Sequence, residues 1–187
     1  MSAAEPLFIP RKVWTRAEVE RLSLDGLSLE LVNGELIDRM GKKPPHVYWK
    51  GELRDWLIAN FGGECVRSED PIDVAPEDNP TSEPEPDLMV TYQSRRELRN
   101  SNPKPEDLRL VVEISDSTYD FDMKVKAALY ARGGIREYWV VDVRVPDAPR
   151  LIVHLDPKDG QYSSFAYPHD EDVTVMQGLT LCLKHLM

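Results

Sequence analysis

The chain has 187 residues, 41% of them hydrophobic and 30% charged, with a formal net charge of −10. That length favours one domain with a sizeable core, and the hydrophobic share excludes a disordered chain. The acidic balance excludes a surface broadly built to coat nucleic acid, although it leaves room for a local basic groove. The two cysteines, Cys65 and Cys182, have no metal-type spacing and read as free thiols in a reducing cytosol. Met1 to Trp14 holds no apolar signal region, and no stretch approaches the ~20 apolar residues of a membrane span. The expectation is one soluble, cytoplasmic domain over 1–187, its core at about 15–175, with no membrane partner.

In chain order, Thr15-Arg16-Ala17-Glu18 is a capping-box signature, with Val19 and Leu22 on one helical face and Asp25-Gly26 as the stop. Leu29-Glu30-Leu31-Val32, Asn33-Gly34 and Glu35-Leu36-Ile37 form a hairpin pattern, because Asn-Gly supplies the positive φ angles of a type I′ turn. Pro44-Pro45 suits the start of a helix running to about Asn60. Its Trp49, Leu53, Trp56 and Leu57 make one core-facing stripe, and Gly62-Gly63 ends it. Three strands are expected next, over Glu64 to Val74, Asp87 to Thr91 and Arg109 to Ser115. The last two are short and apolar, like strands buried on both faces. The Pro-, Asn- and charge-rich segments Ala75 to Glu85 and Tyr92 to Asp107 read as loops. A helix from about Phe121 to Arg132 stops at Gly133-Gly134, and Tyr138 to Val141 is another buried strand. Leu151 to Leu155, Tyr162 to Tyr167 and Val173 to Val175 read as an antiparallel meander, with Asp159-Gly160 as one turn.

Two acids interrupt apolar strands. Glu113 is flanked by Val112 and Ile114, and Asp87 enters Leu88-Met89-Val90. A buried carboxylate is costly unless a cation or strong donors compensate it. Each alone has a plainer reading: Asp87 as a solvated strand-start residue, Glu113 as an outward or salt-bridged side chain. Together on neighbouring strands they suit a hard divalent cation held by carboxylates, a backbone carbonyl and water. On the following helix, Asp122, Lys126 and Tyr130 fall at i, i+4 and i+8 on one face, where Asp122 could tether Lys126. Lys124 projects from another face, and for either lysine a solvated position is the ordinary role. His46 either serves the site or holds a loop, and Glu35 reads first as a turn or surface acid. Ser115-Asp116-Ser117-Thr118 suits helix capping. No Gly-x-Ser-x-Gly elbow or phosphate-binding Gly-rich loop is present.

Taken together, Leu110 to Ser115, Ser117-Thr118, Asp122, Lys126, Tyr130 and Glu137 to Asp142 resemble a restriction endonuclease family abundant in cyanobacteria. That family lies within the PD-(D/E)xK nuclease superfamily. Leu29 to Leu36, His46 and Pro86-Asp87 also match its pattern, so the resemblance covers roughly Thr15 to Val175. It implies an α/β restriction-endonuclease-like core: a central mixed sheet flanked by helices, with an N-terminal β-hairpin and C-terminal antiparallel strands. It also implies that Asp87, Glu113 and Lys126 are catalytic and that Asp87, Glu113 and the Ile114 carbonyl hold Mg²⁺ or Mn²⁺. Glu35, His46, Ser115, Asp122 and Tyr130 would be supporting residues. Ser115 stands where the superfamily usually has a lysine, so either the lysine has migrated to Lys126 or the site is degenerate.

The expected activity is Mg²⁺-dependent hydrolysis of DNA phosphodiester bonds, leaving a 5′-phosphate and a 3′-hydroxyl as the resemblance implies. The alternatives are a catalytically degenerate module binding nucleic acid or protein on the same fold, and a nuclease acting on RNA or branched DNA. With a net charge of −10, DNA binding calls for local cations. The candidates are Arg39, Lys42, Lys43, Arg95, Arg96 and Arg99, expected to flank the acid-bearing ends of the strands. Cutting both strands is easiest with two sites, which makes a homodimer the other expected partner. Lys126→Ala is expected to remove cleavage and leave the fold intact.

Overall fold

The computed structural model describes residues 11–22, 29–38 and 41–187, with the side chain of Gln177 excepted. The Asp25-Gly26 stop and Arg39 lie outside the described residues. Helix α1 (Arg16–Arg21) starts on the expected capping box, with the Thr15 and Glu18 side chains each accepting the other's backbone N–H. It buries no side chain fully. Arg16 instead ties it down, donating to the Ser82 carbonyl at 2.7 Å and to Asp73 at 2.8 Å.

Strands β1 (Leu29–Val32) and β2 (Glu35–Asp38) form the Asn33-Gly34 hairpin, with φ of 49° and 79° at the two turn residues. Those angles suit asparagine and glycine. Helix α2 (Pro44–Phe61) begins with proline where no N–H partner is needed, and stops at Gly62 with φ 81°. Trp49, Leu53 and Leu57 are buried as expected, while Trp56 is half-buried, its ring tilted against Trp139.

The main sheet has six strands in the order β3 (Val66–Arg67), β4 (Leu88–Thr91), β5 (Leu108–Ser115), β6 (Glu137–Asp142), β7 (Arg150–Lys158) and β8 (Gln161–Pro168). Only β5 and β6 run parallel. The crossover between them is helical: α3 (Tyr119–Phe121), a π turn over Asp122–Lys126, then α4 (Ala127–Gly133), ended by Gly134 with φ 76°. One face of the sheet packs Leu88, Leu110, Val112 and Ile114 against α2. The other packs Met89, Val111 and Val140 against Leu129 and Tyr130 of α4. Strands β4, β5 and β6 are thus covered on both sides, which explains their near-continuous apolar runs.

Two expectations need correction. The strand expected over Glu64 to Val74 shrinks to β3. Beyond it Glu69 adopts φ 56°, and the Ile72 and Asp73 N–H groups donate to the carbonyls of Pro84 and Pro103, so the segment leaves the sheet. Ile72 and Val74 are apolar because they cap the core from a loop. The expected C-terminal meander stops after two strands. β9 (Val173–Thr174) pairs instead with β10 (Thr180–Leu181) in a separate two-stranded sheet.

Candidate active site

Leu88 pairs with Val112 across the antiparallel β4–β5 ladder. One step further places Asp87 opposite Glu113, and the two-residue alternation of strands puts both on the Met89–Val111 face. The ladder then closes through side chains. Asp87 Oδ2 accepts the Ile114 N–H at 2.9 Å and lies 3.0 Å from His46 Nε2, while Glu113 Oε2 is 3.4 Å from the Asp87 nitrogen. Asp87 Oδ1 is 3.4 Å from Lys42 Nζ. A residue's N–H and C=O leave a strand on the same side, so the Ile114 carbonyl also faces the Asp87 edge.

Behind the acids, Lys126 Nζ sits 2.8 Å from Glu113 Oε1 and 2.9 Å from Glu30 Oε1. Tyr130 donates its hydroxyl to Glu113 Oε1 at 3.1 Å. Lys126 is 2% exposed, Asp87 and Glu113 4% each and Glu30 5%. Asp122 to Lys126 form a π turn in which the Ala127 N–H reaches back to the Asp122 carbonyl. Asp122 and Lys126 both line the cleft. Asp122 Oδ2 accepts from Ser115 Oγ at 2.6 Å and from Thr118 Oγ1 at 2.7 Å. The tether expected between Asp122 and Lys126 is corrected: Glu113 and Glu30 hold the lysine, and Asp122 clamps Ser115.

Glu30 is the site residue that sequence reasoning passed over. Its signal is the one that singled out Glu113, an acid enclosed by apolar strand residues, here Leu29 and Leu31. Its second oxygen accepts the Glu85 N–H at 3.1 Å, fixing the hairpin to the segment before β4. Glu35, the acid chosen from that hairpin, is exposed and pairs with Arg11 at 2.7 Å, outside the cleft.

Among the proposed phosphate contacts, Lys42 and Lys43 line the cleft. Lys42 pairs with Glu69 as well as Asp87, and Lys43 with Asp116 at 2.8 Å. Arg95, Arg96 and Arg99 do not flank the acids. The acids lie at the start of β4 and the end of β5, so the loop joining these antiparallel strands sits at the opposite end, about 13 Å away along β4 at 3.3 Å per residue. Arg95 lies 3.8 Å from Glu64 there, and Arg99 donates to the Arg96 carbonyl.

The electrostatics reflect the crowding of acids. Burial alone would raise the Asp87 pKa, but the hydrogen bond and charge of His46, the Ile114 N–H and the Lys42 charge hold it well below the usual range. Burial pushes Glu113 up to about 8, reinforced by Asp122, Asp87 and Glu30 and opposed by Lys126. Burial also raises Asp122. Burial works against the Lys126 charge, yet Glu113, Glu30 and Asp122 outweigh it and hold its pKa above the usual lysine value.

The donors suit a hard cation: two carboxylates on adjacent strands, an in-plane carbonyl and a cleft of about 100 Å³ open to water. Among the described residues no three Asp, Glu, His or Cys side chains converge here. Ile114 and water would therefore complete the coordination.

Residues 16–184 match the family Uma2, described as "Putative restriction endonuclease", and the chain belongs to that family. It is similar in structure to a protein of Anabaena variabilis ATCC 29413 described as "a putative nuclease belonging to DUF820". That match covers 92% of this chain and 96% of the other at 16% identity, with a TM-score of 0.65, a likeness of fold. A search of curated proteins returns no match. No described helix is long and apolar enough to cross a membrane.

Two stability predictions follow from these contacts. Lys126→Met removes the buried hydrogen-bond and charge partner of Glu30 and Glu113 and should destabilise the fold by about 3–5 kcal/mol in urea unfolding. This revises the expectation that Lys126→Ala is structurally silent, and an unchanged midpoint would contradict it. The second concerns pH in chelator-treated protein. Glu113 rises from 4.5 to about 8 on folding, so the native state holds the extra proton between those values and stability should fall as pH rises through that window. Asp87 acts oppositely, since its depressed pKa stabilises the fold above the usual carboxylate value and that contribution is lost in acid. Glu113→Gln should flatten the slope between pH 5 and 8. A wild-type profile already flat there would refute the raised Glu113.

Proposed function

We propose that this protein is a divalent-metal-dependent endonuclease that hydrolyses DNA phosphodiester bonds in the Asp87–Glu113 cleft. The observation that carries the proposal is the facing pair of buried carboxylates on adjacent strands, backed by a buried lysine. Apolar packing alone gives no reason to place that set there. Membership of a family described as "Putative restriction endonuclease" supports the same reading.

In this reading Asp87, Glu113 and the Ile114 carbonyl hold Mg²⁺ or Mn²⁺. When bound, the cation polarises the phosphoryl oxygen and lowers the pKa of the attacking water. Lys126 stands in for the lysine absent at position 115, keeping Glu113 oriented and placing positive charge at the cleft wall. Ser115 is spoken for by Asp122. His46 fixes the Asp87 carboxylate, and Lys42 and Lys43 supply the local cations that an acidic chain needs near a phosphate.

Nicking of supercoiled plasmid in Mg²⁺ or Mn²⁺ tests this. Activity should vanish with chelator and fall at least about 100-fold in Asp87→Asn and Glu113→Gln, with both variants folded by circular dichroism. DNA binding without nicking in the unmodified protein would favour the degenerate module, which the serine at position 115 would then explain. Nicking that survives Asp87→Asn would place the chemistry elsewhere.

The rim cations make a separate prediction. Lys43→Glu should weaken DNA binding and lower the salt slope by about 0.9 per lost phosphate contact. Reversing Arg95 and Arg96, at the far end of the strands, should leave both nearly unchanged. The opposite pattern would move the DNA path away from the cleft.

A further inference from the structure

The β9–β10 sheet brings together three side chains of a different chemistry. Val173 pairs with Leu181, so one step outward places Asp172 across from Cys182. Cys182 then caps a 3₁₀ turn over Leu183–Leu186, closed by the His185 N–H donating to the Cys182 carbonyl at 3.0 Å. That hydrogen bond brings the backbone of His185 back to Cys182. The ligand atoms of Asp172, Cys182 and His185 all lie within 4.8 Å of one another.

Cys182 is buried, while Asp172 and His185 are exposed. The thiol reaches the His169 carbonyl at 3.5 Å. Among the described residues the Asp172 carboxylate and the His185 ring have no hydrogen-bond or ion-pair partner. Sequence spacing did not reveal this trio, because Asp172 joins Cys182 and His185 only through strand pairing.

We propose that Asp172, Cys182 and His185 bind a borderline divalent cation of the zinc type, at a site separate from the Asp87–Glu113 cleft. One sulfur, one imidazole nitrogen and one carboxylate oxygen form the donor set that selects Zn²⁺ or Co²⁺ over Mg²⁺. Three protein ligands leave the fourth tetrahedral position to water. Binding releases the Cys182 thiol proton to solvent and leaves a thiolate on the metal. The ion joins the segment after β8 to the C-terminal turn. Tyr48 of α2 already holds that turn by donating its hydroxyl to the Leu186 carbonyl at 3.2 Å, so occupancy also braces α2.

The test is titration of the reduced, metal-free full chain with Co²⁺, following the thiolate-to-cobalt charge-transfer band. That band needs a sulfur ligand, which the Asp87–Glu113 cleft lacks, so the result is independent of the nuclease reading. The expected result is a band saturating at one equivalent, abolished by Zn²⁺ competition and by Cys182→Ser, and retained in Cys65→Ser. His185→Gln and Asp172→Asn alter exposed side chains and keep the test decisive if Cys182→Ser fails to fold. Each should weaken Co²⁺ binding by roughly tenfold or more. No band at stoichiometric Co²⁺, a band that survives Cys182→Ser, or unchanged affinity in both exposed-ligand variants would overturn the site.

Discussion

The position of Lys126 depends on a balance of two large opposing terms. Removing an ammonium group from water costs several kcal/mol, and two carboxylates within 3 Å recover that cost only because they too are withdrawn from water. Each partner is thus a condition for the burial of the others. Glu30 comes from the N-terminal hairpin, Glu113 from the centre of the sheet, and Lys126 from the crossover helix between β5 and β6. One ionic contact therefore fixes three elements that apolar packing alone would let slide. It also explains why a hairpin with few core residues has a definite place: its buried acid needs the lysine, and the bridge from Leu31 to Glu83 holds its backbone.

Local chemistry made much of this legible in advance. The hairpin turn, the proline start and glycine end of α2, and the doubly covered strands β5 and β6 follow from residues adjacent in sequence. Glu113 stood out because its neighbours are apolar on both sides. What escaped notice depends on pairings between distant segments. Glu30 looks like an ordinary outward residue of an alternating hairpin until the crossover helix supplies Lys126. The segment beyond β3 reads as a strand because Ile72 and Val74 are apolar, but their burial comes from capping a core built elsewhere. The Arg95 to Arg99 loop seemed near the acids because it lies between them in sequence, whereas antiparallel pairing sends it to the other end.

The same pairing explains why the acids meet at all. Asp87 precedes its strand and Glu113 lies near the end of the next, so only an antiparallel β4–β5 register sets them side by side. The parallel β5–β6 pair then requires a long crossover, and that crossover carries Asp122, Lys126 and Tyr130 back over the strand end. Residues four apart share a helix face, so Asp122 and Lys126 both reach the cleft, and the π turn that spans them falls where these polar side chains converge.

Asp87 is also held by groups from the approach to α2 and its first turn, His46 and Lys42. Lys42 has a second acidic partner in Glu69, a residue at positive φ. Such a conformation is unfavourable for a side chain with a Cβ and persists where surrounding contacts enforce it. In the nuclease reading this arrangement has a consequence. If Asp87 held a cation, the Lys42 ammonium would be repelled from it, and Glu69 would offer that lysine a second carboxylate beside the cleft. The lysine would then stay at the rim, where a substrate phosphate would meet it. An acidic protein can in this way present positive charge at one point of its surface, because Lys42, Lys43 and Lys126 each pair with an acid other than Asp87 and Glu113, namely Glu69, Asp116 and Glu30.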